Sequence, residues 1–149
     1  MADFVFRISP NIMLGPHTLA RIGQVASNWG SNFMLIADPI LKEFGIVEKA
    51  VAALEDKGIS VFVFDDIPSA ATSTTLEQAL SLARGAHVHG FISLGGTKTS
   101  SLGRALAALY NENHDIYEYL AGAQPYSGAM PFIEVPSTCR DAFVFMDRT

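Results

Sequence analysis

The sequence is poor in cysteine and in positive charge. A single cysteine, Cys139, among 149 residues leaves no internal disulfide to form and fits a reducing compartment. Ten Lys and Arg against fifteen Asp and Glu give a net charge of −5 and a pI near 5.2. A surface that reads nucleic acid by its phosphates needs a basic patch, so nucleic acid is not expected as a partner. No run of 18 apolar residues occurs, and no membrane span is expected. The opening segment MADFVFRISPN lacks the charged start and long apolar stretch of a secretory signal, which makes the cytoplasm the expected location. Charged residues make up only 17% of the chain against 49% hydrophobic, a balance that leaves apolar surface for something else to cover.

What is present is an alternation of strand-length apolar runs with helical patterns. Strands are expected at residues 4–8, 33–37, 61–64, 91–94 and 132–135, with a last apolar run at 142–146. The run Val61, Phe62, Val63, Phe64 is apolar throughout and predicts a strand covered on both faces. Helices are expected over 17–28, 40–57 with a break at Gly45, 76–86 capped by Thr74 or Thr75, and 114–120. Residues 65–66 and 112–115 read as solvated loop charge, and 122–131 as a Gly/Pro/Ser loop. No linker or internal repeat divides the chain. The expected fold is therefore a single α/β domain over 1–149, a Rossmann-like, mainly parallel sheet with helices on both faces.

The segment HGFISLGGTKTSSLGRALAALY is the richest in chemistry. An apolar strand stops at Gly95 and Gly96, a hydroxyl-rich turn carrying Lys98 follows, and a helix pattern runs through Leu102, Leu106 and Leu109. Strand, glycine turn and helix point free backbone N–H groups at an anionic ligand, usually a phosphate. The spacing is neither Gly-x-Gly-x-x-Gly nor that of a P-loop, and a paired glycine can also serve only as a tight turn. Asp38 stands at the end of the second expected strand. It can accept hydrogen bonds from ribose hydroxyls and repel a 2′-phosphate, or simply start the next helix as an Asp-Pro turn. Ser137 and Thr138 can likewise bind a ligand at the same sheet edge or cap a turn. Cys139 beside Arg140, and His87 near His89, offer a thiolate and a two-imidazole metal site respectively, but nothing nearby in sequence completes either. No nucleophile triad can be assembled.

The order of these motifs resembles the dinucleotide-binding domain of the iron-containing (group III) alcohol dehydrogenases, relatives of glycerol dehydrogenase, maleylacetate reductase and dehydroquinate synthase. The likeness runs from about residue 6 to 147. IMLGPHTL is similar to the family's Gly-Pro-Gly-x-Leu opening. MLIADPILKEFGIVEKAVAALEDKGISVFVFDDI follows its Asp-Pro-x-Leu to Phe-Asp stretch. ISLGGTKTSSLGRALA stands against Gly-Gly-Gly-Ser-x-x-Asp-x-Ala-Lys, and PFIEVPST against Pro-x-Ile-x-Ile-Pro-Thr-Thr. The resemblance implies hydride transfer between a nicotinamide and an alcohol or aldehyde, with Fe²⁺ or Zn²⁺ polarising the substrate oxygen. It implies NAD or NADP as cofactor, with the pyrophosphate at Gly95, Gly96, Thr97 and Lys98. It sets Asp38 by the adenosine ribose, which tilts the choice towards NAD, and Ser137 and Thr138 near the adenine. Three positions depart from the pattern: Thr97 replaces the third glycine, Lys98 the serine and Ser101 the aspartate. The family's metal ligands belong to a C-terminal helical domain that this sequence lacks, so no catalytic or metal-binding residue is expected here and the chain is not expected to turn over alone. The alternative is a degenerate, non-catalytic interaction domain, with Phe4, Phe6 and Ile8 offering an apolar edge for a homodimer.

Overall fold

The computed structural model describes residues 11–68 and 72–138. The expected strand at 4–8 with its dimer edge, the run at 142–146, Cys139 and Arg140 lie outside the described residues. Four strands, β1 (Asn32–Ala37), β2 (Ser60–Phe64), β3 (Gly90–Gly95) and β4 (Phe132–Pro136), form one sheet in the order β2-β1-β3-β4, every pair parallel. The Rossmann-like α/β reading is correct.

Helices cover both faces. A 3-10 turn (Thr18–Arg21) leads into α1 (Ile22–Ala26), and α2 (Pro39–Glu43) and α3 (Ile46–Glu55) follow β1. The break at Gly45 is real: it sits at φ 67°, a left-handed conformation that glycine adopts without steric cost. Then come α4 (Ser73–Gly85), α5 (Thr97–Leu109) and α6 (Ile116–Leu120).

The period-2 alternation of the strands divides the apolar residues between two cores. Met34, Ile36 and Phe91 pack with Leu80 and Ala83 of α4 and Leu102 and Leu106 of α5. Phe33, Leu35, Ile92 and Leu94 face the other way, onto Ile22 and Ala26 of α1 and Val47, Ala50 and Leu54 of α3. Burying one such side chain contributes about 1.5–3 kcal/mol, so β1 and β3, closed on both faces, anchor the domain.

Three expectations need correction. β2 is not covered on both faces: among the described residues it pairs only with β1, and Phe62 is 37% exposed. An apolar run reports burial of side chains, but sheet order decides which strand stands at an edge. Helix α4 begins three residues earlier than expected because Thr72, rather than Thr74 or Thr75, caps it, accepting from the Thr75 amide at 3.3 Å. Glu112 is not solvated loop charge; it is 4% exposed, its carboxylate accepting from the Tyr119 hydroxyl and the Tyr126 and Ser127 amides.

Candidate nucleotide site at the carboxyl edge of the sheet

From β1 the chain crosses to β2 on one side and later to β3 on the other, so the β1/β3 boundary is the topological switch point. In open parallel sheets ligands settle in the crevice beyond the carboxyl ends of the strands at such a point. Asp38 and Gly95–Gly96 end the two strands that flank it. They are in direct contact: the Asp38 amide donates to the Leu94 carbonyl at 2.9 Å, and a Cβ built on Gly95 would lie 3.0 Å from the Asp38 Cβ. Ser137 joins them, its amide donating to the Gly95 carbonyl at 2.8 Å, and Thr138 follows, exposed. Segments spread over 99 positions, from Asp38 to Ser137, thus meet at one edge.

The hydroxyl-rich stretch after the glycines is not a turn. Helix α5 starts at Thr97, with Gly96 as an extended cap that supplies no side-chain bond. The first amide with an intrahelical acceptor is that of Ser100, which donates to the Gly96 carbonyl at 3.0 Å. The amides of Thr97, Lys98 and Thr99 have no intrahelical acceptor, and no acidic residue lies in the first turn to oppose the helix dipole.

The two glycines differ in what they permit. A Cβ on Gly95 would collide with Thr99 Oγ1 at 2.6 Å, so close packing requires this glycine. A Cβ on Gly96 would meet nothing within 4 Å, and its φ of −91° suits any residue. Packing among the described residues therefore does not explain Gly96. Beneath them, the hydroxyls of Ser93, Thr99 and Ser100 are fully buried and have no hydrogen-bond partner among the described residues.

Sequence reasoning passed over Gly103. A Cβ there would lie 2.7 Å from the Phe132 ring and 3.2 Å from the Ser93 Cβ. It lets α5 sit close on β3 and β4, the helix–sheet packing role that the last glycine of a dinucleotide fingerprint performs. A small residue on the sheet-facing side of a helix was its signal. Arg104 and Glu134, nearly buried, fix the same helix to β4 through a 2.6 Å ion pair.

The remaining candidates divide. Thr97 is exposed at the crevice, while Ser101 lies a turn further along α5 and is half-buried. Lys98 donates to the Pro68 carbonyl at 3.1 Å. Asp38 fills the helix-starting role: its Oδ1 accepts from the Ile40 amide at 3.3 Å as the cap of α2. His87, at φ 51°, is not extended, and His89 Nδ1 accepts from the Ser31 amide at 3.1 Å, so the pair does not form a metal site. Among the described residues no three His, Cys, Asp or Glu come together to hold a metal, and none of the helices is long and apolar enough to cross a membrane. A cavity of about 450 Å³ between α4, α6 and the end of α5 lies away from this edge and is lined by Arg84, Glu112 and Tyr119 among others.

Comparison with known proteins agrees with this fold. The family pattern described as iron-containing alcohol dehydrogenase matches residues 9–144, and the chain belongs to that family. It is 26% identical over 133 residues to 1,3-propanediol dehydrogenase of Citrobacter freundii, covering 87% of this chain and 34% of that protein. It is 27% identical over 145 residues to the mitochondrial hydroxyacid-oxoacid transhydrogenase of Caenorhabditis elegans, covering 91% and 31%. Among solved structures, NADH-dependent butanol dehydrogenase A of Thermotoga maritima superposes with a TM-score of 0.81 at 22% identity, covering 91% of this chain and 35% of that one. Sulfoacetaldehyde reductase of Bifidobacterium kashiwanohense, solved with NAD⁺, gives 0.82 at 18%, covering 93% and 37%. The chain spans about a third of the length of these relatives.

Proposed function

We propose that this chain is the nicotinamide-nucleotide-binding part of an oxidoreductase that moves a hydride between NAD(P) and an alcohol or aldehyde. The observation that carries the reading is the convergence of Asp38, Gly95–Gly96 and Ser137 at the switch point, beside a helix start whose first amides have no intrahelical acceptor. In this reading the amides of Thr97, Lys98 and Thr99 hold the pyrophosphate, and Gly96 leaves room for its approach. Asp38 accepts from a ribose hydroxyl, and Ser137 and Thr138 line the adenine side. The nicotinamide, when bound, supplies the hydride chemistry; this chain's residues bind and orient it. The NAD⁺-bound sulfoacetaldehyde reductase supports the assignment by its shared fold.

Residues 1–149 act in this proposal as one binding domain. The described residues do not fit Fe²⁺ or Zn²⁺, and no metal-assisted step is assigned to them. The dehydrogenases and the transhydrogenase among the relatives lend no support to a non-catalytic interaction module. Titration of the chain with NADH and NADPH, followed by nicotinamide fluorescence, is expected to give micromolar-to-millimolar affinity without alcohol oxidation. Absence of binding by both at millimolar concentration would overturn the proposal.

A further inference from the structure

The path of the Lys98 side chain carries more than its charge. The Lys98 amide belongs to the first turn of α5, at the end of β3. Its ammonium lies at the Pro68 carbonyl, four residues past the end of β2. In the order β2-β1-β3-β4 this direction crosses the end of β1, where Asp38 stands. For a nucleotide with its pyrophosphate on the α5 amides and its adenosine ribose at Asp38, that is the ribose flank.

Of the three carboxylates on this flank, Asp66 is exposed and the other two have partners. Asp65 is paired with Lys42 at 2.6 Å, and the Asp38 carboxylate receives the Ile40 amide. Among the described residues the Lys98 ammonium meets only a neutral carbonyl. A phosphate monoester dianion is a stronger acceptor for an ammonium, since attraction between opposite charges adds to the hydrogen bond.

We propose that Lys98 determines cofactor choice: its ammonium pairs with the 2′-phosphate of NADP(H), so that the chain accepts the phosphorylated cofactor at least as well as NAD(H). This revises the tilt towards NAD that Asp38 alone implies, and it rests on the nucleotide-binding reading above. Lys98 is a specificity residue here, acting on a part of the cofactor remote from the nicotinamide.

The test compares wild type, K98S and K98R by titration with NADPH and NADH. It is repeated by competition with 2′,5′-ADP and 5′-AMP, which differ only in the 2′-phosphate. All three proteins are first shown to share one melting transition. The NADPH/NADH affinity ratio is expected to fall about tenfold in K98S and to be retained in K98R, with the 2′,5′-ADP/5′-AMP ratio following it. An equal loss of both cofactors in K98S would overturn the inference while leaving nucleotide binding intact, because the lysine would then be serving the pyrophosphate. An unchanged ratio would also overturn it. Failure of the wild type to bind any of the four ligands would instead defeat the nucleotide-binding reading itself.

Discussion

Gly95 and Gly96 are neighbours with opposite reasons for lacking a side chain, and substitution separates them. Gly95→Ala drives a methyl into Thr99 Oγ1 and against Asp38, so a loss of roughly 1–3 kcal/mol is expected, the usual cost of overpacking. Gly96→Ala meets open space and is expected to leave the melting temperature within about a degree or two, since unstrained surface changes stay within about 0.5 kcal/mol. Under the proposed function it nonetheless weakens nucleotide binding severalfold, because the methyl occupies the path of the pyrophosphate. Thermal melts paired with NADPH titrations check both. A Gly96→Ala protein that binds like wild type would remove the reason for assigning this glycine to a ligand. The pair was legible in the sequence as a turn at a strand end. Which glycine serves packing and which serves approach was not, because that depends on Thr99 and Asp38 folding back against one of them.

At the scale of elements, one contact is tighter than the rest. Helices α1 and α3 touch at Gly23, where a Cβ would stand 2.2 Å from the Ala53 carbonyl oxygen and 2.9 Å from Lys57 Cγ. The lysine stem can move aside, but a helix backbone cannot without separating the two helices. Gly23→Ala is therefore expected to cost about 1–3 kcal/mol or more, read as a lowered urea midpoint with an unchanged slope. The strand–helix alternation was visible in the sequence because β1 and β3 are nearly unbroken apolar runs and the helices carry 3.6-residue stripes. Boundaries were less so. Thr72, Thr74 and Thr75 are equally good caps by type, and only the fold distinguishes Thr72. The edge position of β2 was hidden for a different reason: strand order arises from connections between elements, not from the composition of any one of them.

For the whole molecule, Glu112 ties stability to acid. The Tyr119 hydroxyl, with the Ser127 and Tyr126 amides, holds its carboxyl down to about 2 despite the opposing effect of burial. Burial and the same carboxylate push Tyr119 up to about 12. Because the folded value lies below the ordinary 4.5, this carboxylate's stabilisation is present in full above pH 4.5 and is lost as pH falls towards 2. Glu112→Gln is expected to lower stability at pH 7 and to flatten the decline between pH 5 and 2, measured by urea unfolding across that range. A parallel decline in the variant would show that other groups govern acid unfolding. The residue joins distant parts of the chain: its backbone carbonyl accepts from Arg84 of α4, and its carboxylate gathers α6 and the loop at 126–127. None of those partners is a sequence neighbour, so the stretch around 112–115 read as ordinary surface charge.

The central strand has a property that its burial conceals. Phe33 to Ala37 is apolar at every position, so sliding β1 by one residue would exchange its two faces at little hydrophobic cost. Its polar ends oppose such a slip. Asn32 donates to the Ala86 carbonyl at 2.6 Å at one end, and Asp38 binds Leu94 and the Ile40 amide at the other. Asp38 thus punctuates the fold as well as standing at the candidate site. Its backbone amide keeps the strand in step with β3, while the carboxylate that would meet a ribose starts α2.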